Sequence, residues 1–193
     1  MTRDKEITSV GHQMADEESS MKKTAPPGKY IIFKLGNEEY AFEILKVREI
    51  IGMMDITRVP EMDKSVQGVI NLRGKVNPVV DLRQIFGMTE TVPSEQTVIV
   101  IVQLRYNGQT CAIGVLVDQV LEVLNIPETN IEHPPSMRSL SEHGTNSIMG
   151  IAKVDKRVIM LLDIDATLSC ASPDDGRQQS GLIRDEPGTI CAL

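Results

Sequence analysis

Few side chains in this 193-residue sequence have the types and spacing that catalysis requires. The three histidines are His12, near the start of the sequence, and His133 and His143, which lie in an irregular stretch containing several prolines. Two loop histidines ten residues apart could bind a metal, but no further ligand stands at a suitable spacing, so surface histidines are the simpler interpretation. No serine occupies a G-x-S-x-G elbow. The sequence therefore predicts no catalytic residue and no metal site.

A glycine-containing segment resembles a phosphate-binding loop only superficially. Gly68 and Gly74 are one residue too far apart for that motif, and Val76 stands where a magnesium-binding Ser or Thr is required. The dinucleotide-binding pattern G-x-G-x-x-G is also missing from the sequence. We therefore predict that the protein uses no cofactor.

One pair of opposite charges, Glu49 and Arg73, is the remaining candidate for a functional role. Glu49 follows the apolar start of a predicted strand, and Arg73 lies at the tip of a predicted hairpin. An exposed ion pair contributes only about 0–1 kcal/mol, so stability is a weak reason for its presence. We predict that the two side chains shape a binding surface; the alternative is an ordinary solvated pair, or no contact between them.

The hairpin that carries Arg73 is the clearest structural element of the sequence. Its first strand is rich in β-branched residues, and Arg73-Gly74 supplies the turn because glycine accepts a positive φ. Pro78 cannot donate a sheet hydrogen bond, which predicts that the second strand lies at a sheet edge or bends there. Asp81 is predicted to cap a short helix that follows this strand.

The same element occurs a second time, because residues 150–168 align with residues 68–86 without a gap. Gly150 matches Gly68 and Asp163 matches Asp81, at an offset of 82 positions. Residues 111–124 resemble residues 40–51 more weakly. The repeat predicts an internal duplication, although two apolar hairpins can also align by chance.

The charged pair differs between the two copies. Glu122 matches Glu49, but Asp155 stands at the position of Arg73, and two acidic residues cannot form an ion pair. The pair is therefore expected in the first copy alone, which favours a binding role over a folding role.

The pattern of about ten short strands and regularly spaced turns predicts a mostly β fold made of two small barrels, with a few short helices and a groove between the barrels. The ordered domain is expected at residues 29–169, with the boundary between the copies near 90–96. Residues 1–28 and 170–193 are predicted to be flexible tails, and residues 127–147 a long surface excursion with a turn of helix near its start. A second short helix is predicted to begin at residues 60–63.

Composition excludes several functional classes. The net charge is −7, which argues against a nucleic-acid-binding surface, since such surfaces are basic. No apolar run approaches the length of a membrane span, so direct membrane insertion is not predicted. The three cysteines form an odd, scattered set that predicts no disulfide framework and a reducing, cytoplasmic compartment. Cys111 is expected to be an inert core residue.

Three segments at residues 45–50, 68–74 and 78–83 carry a family resemblance. They read Leu-Lys-Val-Arg-Glu-Ile, Gly-Val-Ile-Asn-Leu-Arg-Gly and Pro-Val-Val-Asp-Leu-Arg. Together they resemble the signature of the bacterial chemotaxis coupling protein family, CheW, and the resemblance extends over roughly residues 28–169. The tails and the 127–147 excursion depart from the compact family pattern and have no assigned role.

The resemblance implies two small five-stranded, SH3-like β-barrels and a noncatalytic, cytoplasmic adaptor recruited to receptor arrays at the inner membrane. The implied partners are the regulatory domain of a CheA-type histidine kinase and the cytoplasmic tips of methyl-accepting chemoreceptors. The implied partner-binding residues are Val47, Glu49, Gly68, Asn71 and Arg73. The alternative is a small β-barrel regulatory module that binds another signalling partner.

Overall fold

The structure is a computed structural model that describes residues 25–89, 92–106, 109–134 and 147–169. Most of both predicted tails and most of the 127–147 excursion lie outside the described residues. The strands are β1 (Gly28–Leu35), β2 (Glu38–Glu43), β3 (Val47–Gly52), β4 (Val66–Leu72), β5 (Lys75–Asp81), β6 (Val98–Tyr106), β7 (Gln109–Val117), β8 (Gln119–Ile126), β9 (Ile131–Glu132), β10 (Ile148–Val154) and β11 (Arg157–Leu162). The helices are α1 (Leu82–Ile85) and α2 (Ile164–Ser169), with 3-10 turns at Ile44–Lys46 and Glu128–Asn130.

The described strands form two sheets, which confirms the predicted mostly β class. Sheet I has six strands in the order β8-β1-β2-β11-β10-β9, and sheet II has five in the order β3-β6-β7-β5-β4. Most neighbours are antiparallel, but β2 with β11 and β5 with β7 are parallel pairs at equivalent places in the two sheets. The equivalent orders support the internal duplication.

The two sheets do not separate at residues 90–96, as the predicted boundary between copies would require. Sheet I combines the first hairpin, β1–β2, with β8 to β11, and sheet II combines the second hairpin, β6–β7, with β3 to β5. Each copy therefore places its first hairpin in the sheet of the other copy. The sequence does not reveal this exchange, because β1 and β6 both carry long apolar runs, and such runs do not specify which set of strands each hairpin joins.

The core has a separate part within each sheet and a shared part between them. Along β1, Ile31 and Phe33 join the shared cluster, whereas Tyr30 and Ile32 join the cluster within sheet I. This alternation follows from the two-residue period of a strand and buries β1 on both faces. The rings of Phe33 and Phe42 lie 4.6 Å apart in the shared cluster, which also takes residues from sheet II. Burial between the sheets therefore joins them into one folded unit.

Several local predictions are confirmed and others are wrong. Asp81 caps α1 by accepting the Arg83 N–H at 2.8 Å, and the turn near residue 127 is present at Glu128–Asn130. The predicted helix at residues 60–63 is a turn in which Glu61 has a φ of 62°. Pro78 does not lie at a sheet edge, since β5 pairs with both β4 and β7. Its missing N–H is tolerated because the ladder to β7 begins only at Val79.

Two further expectations need correction. Ala25 is 4% exposed and donates its N–H to the Met149 carbonyl oxygen, so the folded region begins before the predicted tail ends at residue 28. Cys111 is buried in β7 as expected, but it is disulfide-bonded, so the prediction of an inert cysteine outside any disulfide is wrong. Scattered cysteine spacing does not reveal which side chains the fold brings together.

Candidate partner-binding surface

The tip of the β4–β5 hairpin is a two-residue turn that projects Arg73 into solvent. Leu72 pairs with Lys75 across the turn, and Arg73 and Gly74 have φ values of 53° and 81°. Positive φ at both central residues is the geometry whose twist matches that of the flanking strands. The Asn71 side chain accepts the Gly74 N–H at 2.9 Å and so holds the turn in this geometry.

Arg73 contacts Glu49, as the charge pattern suggested. The Arg73 Nη2 atom donates to Glu49 Oε2 at 2.8 Å. The Glu49 side chain is only 18% exposed, whereas that of Arg73 is 76% exposed. Glu49 therefore orients a guanidinium group that keeps most of its surface free for another molecule.

This ion pair joins opposite edges of sheet II. Glu49 belongs to β3 and Arg73 follows β4, and these strands stand at the two ends of the strand order. A contact at 2.8 Å between them requires the sheet to curl strongly. The Glu49–Arg73 contact is therefore evidence that sheet II is strongly curved.

Gly68 allows the segment after β3 to reach the free edge of β4. Thr57 and Val69 exchange two backbone hydrogen bonds of 2.9 Å each. Gly68 has a φ of 142°, and a Cβ atom placed on it would lie 2.2 Å from the Thr57 carbonyl oxygen. Because Gly68 is buried, it acts by positioning the surface rather than by touching a partner.

Val47 lies between the core and the surface. It opens β3, pairs with Val102 of β6 and packs against the shared core cluster while remaining half-buried. The preceding 3-10 turn carries Leu45, whose side chain is 89% exposed beside a recess of about 210 Å³ lined partly by Tyr30 and Ile44. The sequence analysis did not single out Leu45, because its exposure depends on the 3-10 turn that the structure places at Ile44–Lys46.

The second sheet carries an equivalent surface, contrary to the expectation from Asp155. Asp155 adopts a φ of 54° and takes the turn position of Arg73. Arg157, two residues later, supplies the cation and donates to Glu122 at 2.7 Å and to Glu39 at 3.4 Å. These contacts, the Glu122 hydrogen bond first among them, raise the pKa of Arg157 above its ordinary value. As predicted, Asp155 does not replace Arg73 as the cation, but Glu122 pairs with Arg157 instead, so an ion pair is not confined to the first copy.

Exposed apolar side chains accompany both ion pairs at matching positions. Ile50 follows Glu49 and is 44% exposed, and Val76 on β5 is 43% exposed. In sheet I, Val123 follows Glu122 and is 50% exposed, and Val158 follows Arg157 and is 56% exposed. An apolar centre beside a charged pair is the usual composition of a protein-binding surface.

The described part of the chain contains neither a metal-binding cluster nor a membrane-spanning helix. No group of three or more His, Cys, Asp or Glu side chains there could hold a metal ion. None of the helices found among the described residues is long and apolar enough to span a membrane.

The sequence is similar to bacterial chemotaxis proteins. The family model described as the CheW-like domain matches residues 29–171. The chemotaxis protein CheW of Klebsiella aerogenes is 35% identical over 141 residues, which cover 73% of this chain and 81% of that protein. The chemotaxis protein CheW of Helicobacter pylori is 34% identical over 160 residues, which cover 83% and 88%.

The fold is similar to that of a solved relative. The crystal structure of the scaffolding protein TtCheW from Thermoanaerobacter tengcongensis matches with a TM-score of 0.64 and 35% sequence identity. The match covers 74% of this chain and 92% of that one.

Proposed function

This chain belongs to the CheW-like family of chemotaxis scaffold proteins, and we propose that it couples chemoreceptors to the histidine kinase CheA. It is a noncatalytic protein of chemotaxis signalling, as its relatives are. Family members in general join receptors to CheA. The proposed partners of this chain are therefore the cytoplasmic tips of methyl-accepting chemoreceptors and the regulatory domain of its kinase, at receptor arrays on the inner membrane.

The Glu49–Arg73 pair is the single observation that best supports the proposal. The guanidinium group of Arg73 is exposed, yet it is held at 2.8 Å by a mostly buried carboxylate. A pre-oriented arginine loses little conformational freedom on binding and can donate to carboxylates or carbonyl oxygens of a partner. We expect an interface of about 800 Å² on each partner, with Arg73 at a central position.

The predicted site residues have two kinds of role in this proposal. Arg73 and Asn71 are exposed at the hairpin tip and are proposed to contact the partner directly. Val47, Glu49 and Gly68 are more buried and are proposed to position that tip and the start of β3. Loss of either kind of residue should weaken coupling. Loss of Arg73 should leave stability nearly unchanged, whereas loss of Asn71, which also holds the turn at Gly74, or of a residue of the second kind should alter it.

Each sheet is proposed to close into a small SH3-like barrel. In sheet II, the Glu49–Arg73 pair links the two edge strands, and the Thr57–Val69 bridge joins the segment after β3 to β4. In sheet I, the chain leaves edge strand β8, passes through the turn at Glu128–Asn130 and pairs as β9 on the opposite edge. These connections favour closure, because closure removes the unpaired edges that an open sheet would leave.

Charge reversal at Arg73 tests the proposed function. Arg73→Glu should weaken binding to a chemoreceptor signalling fragment at least about 30-fold, the effect of losing about 2 kcal/mol at a central interface residue. The free energy of unfolding should change by less than about 1 kcal/mol, because the Arg73 side chain is mostly exposed. The measurement is co-sedimentation of the protein with receptor fragments and CheA, together with urea unfolding of the free protein.

Lys156→Glu is the matched control. Lys156 is exposed at the tip of the equivalent β10–β11 hairpin, so this change alters the net charge by the same amount on the other sheet. We expect it to keep most of the receptor binding. Full coupling by Arg73→Glu would contradict the proposal, and unfolding of that variant would show that Arg73 has a structural role instead.

A further inference from the structure

The two short helices begin with the same capping geometry. Asp81 Oδ1 accepts the Arg83 N–H at 2.8 Å, and Asp163 Oδ1 accepts the Asp165 N–H at 3.0 Å. Arg83 and Asp165 are thus the second residues of α1 and α2, and they stand 82 positions apart, the offset of the internal repeat. The backbone places the two side chains equivalently, but their charges are opposite.

Each of these side chains forms an ion pair at an equivalent place. Arg83 Nε donates to Asp118 Oδ1 at 2.7 Å and Arg83 Nη2 donates to Asp118 Oδ2, which also accepts the Gly36 N–H at 2.6 Å. Lys46 Nζ donates to Asp165 Oδ2 at 2.6 Å. Gly36 belongs to the turn between β1 and β2, so the first pair also holds a hairpin of sheet I against α1.

Asp118 and Lys46 mark the two points where the chain passes from one sheet to the other. Asp118 lies between β7 of sheet II and β8 of sheet I. Lys46 lies between β2 of sheet I and β3 of sheet II. In sheet II, α1 follows β5 and pairs with Asp118, which follows the hairpin β6–β7 of the same sheet. In sheet I, α2 follows β11 and pairs with Lys46, which follows the hairpin β1–β2 of the same sheet.

The alternative arrangement, without exchange, would bring like charges together. If each copy kept its own hairpin, the residue after β2 would face α1, and Lys46 would meet Arg83. The residue after β7 would then face α2, and Asp118 would meet Asp165. Partly buried like charges repel more strongly than exposed ones, because less water screens them.

We propose that the inverted signs of these two ion pairs determine which hairpin enters which sheet. The apolar patterns of β1–β2 and β6–β7 allow either hairpin to join either sheet. Only the exchanged arrangement places opposite charges together at both crossovers. The Arg83–Asp118 side chains are 13% and 29% exposed, so this pair is the stronger selector. The Lys46–Asp165 pair also holds the residue before Val47, and so it positions the start of the site strand β3.

Inverting both helix charges tests the proposal. The double variant Arg83→Glu/Asp165→Lys makes the exchanged fold repulsive at both crossovers and the alternative attractive. We expect its urea midpoint to fall by about 1 M. The quadruple variant that adds Lys46→Glu and Asp118→Lys restores opposite charges in the exchanged fold and should regain most of that loss.

A distance measurement reports the arrangement itself. Spin labels attached at positions 38 and 158 by a chemistry that avoids cysteine would lie on adjacent strands, because Glu39 pairs with Ile159. A longer distance should appear in the double variant and disappear in the quadruple variant. The control exchanges the charges of the exposed Lys153–Glu132 pair, both within sheet I, and should change neither the midpoint nor the distance.

Three outcomes would overturn the proposal. The double variant could keep the parent midpoint, or the quadruple variant could be as unstable as the double variant, which would show that side-chain shape rather than sign matters. A lower midpoint with an unchanged label distance would show that the pairs stabilise the fold without selecting it. These readouts do not depend on receptor or kinase binding, so they are independent of the proposed function.

Discussion

Gly68→Ala should lower the free energy of unfolding by about 3–5 kcal/mol, the range of severe single-residue changes. The added Cβ would stand 2.2 Å from the Thr57 carbonyl oxygen, and this neighbour is backbone that cannot rotate away. The φ of 142° is unfavourable for alanine as well. Relief of the clash requires the segment at Thr57 to leave β4, which breaks its two hydrogen bonds to Val69.

The expected loss extends to partner binding. The Thr57 bridge and the Glu49–Arg73 contact both hold the edges of sheet II together. Detachment of the bridge should therefore disturb the hairpin tip that carries Arg73. Urea unfolding and binding of a receptor fragment measure the two effects on the same preparation.

Gly52→Ala is the matched control for Gly68→Ala. Gly52 ends β3, and no atom lies within 4 Å of a Cβ built on it. We expect a change within about 1 kcal/mol, the ordinary scale for a glycine replaced without a clash. A Gly68→Ala loss as small as that of Gly52→Ala would contradict the close approach of Thr57.

Arg83→Met should be the second most damaging change, with a loss of about 3 kcal/mol at neutral pH, the lower end of the range for breaking a buried ion pair, because this pair is only partly buried. Methionine retains the apolar length of the side chain but leaves the Asp118 carboxylate without its guanidinium partner. Burial then disfavours the charged form of Asp118, and only the Gly36 N–H remains as a donor among the hydrogen bonds described here. Urea unfolding of parent and variant measures the difference.

The loss at Arg83→Met should depend on pH in a defined direction. Burial by itself raises the pKa of Asp118, but the hydrogen bonds from Arg83 and Gly36 outweigh it and lower the pKa below its ordinary value. A carboxyl group whose pKa is lowered by folding stabilises the protein above its unfolded pKa, and this stabilisation is lost as the pH falls through the folded value. The difference between parent and Arg83→Met should therefore shrink below about pH 4.

The pH comparison must use the difference in stability between parent and Arg83→Met, because the pKa of Asp81 is raised whereas that of Asp118 is lowered. Burial chiefly raises the pKa of Asp81, so its protonation favours the folded state as the pH falls. The charge of Arg83 lowers the pKa of Asp81, so Arg83→Met should raise that pKa further, and this change also makes the loss shrink as the pH falls. Lys153→Met, which breaks an exposed pair, should cost less than about 0.5 kcal/mol at any pH. An Arg83→Met loss that stays constant down to about pH 3 would contradict the assigned role of Asp118.

Local rules explain the predictions that the structure confirms. The turn at Arg73-Gly74, the cap at Asp81 and the turn at Glu128–Asn130 depend on residues within a few positions of each other. The Glu49–Arg73 contact was also anticipated, although it depends on a curled sheet. Here the sequence offered one acid on a predicted strand and one base at a predicted hairpin tip, although Glu49 also lies 3.9 Å from the neighbouring Arg48.

The wrong predictions share a dependence on distant neighbours. Pro78 was predicted to lie at a sheet edge or at a bend because its missing N–H is a local property, and the edge alternative is wrong because the strand that covers β5 comes from the other hairpin. The second ion pair was missed because the cation had moved two residues, from the turn to Arg157 on β11. In each case the deciding residue belongs to another strand.

The amino-acid sequence by itself determined the strand pattern, the two capped helices, the duplicated hairpins and the family, because these follow from short-range preferences and from residue identities. Only the tertiary structure decided which hairpin joins which sheet, where the two edges of sheet II meet and which charges pair across the crossovers. Both hairpins begin with a long apolar strand, so burial alone cannot distinguish their places. Charges and close backbone contacts that depend on chain path make that distinction, and they exist only once the strands have come together.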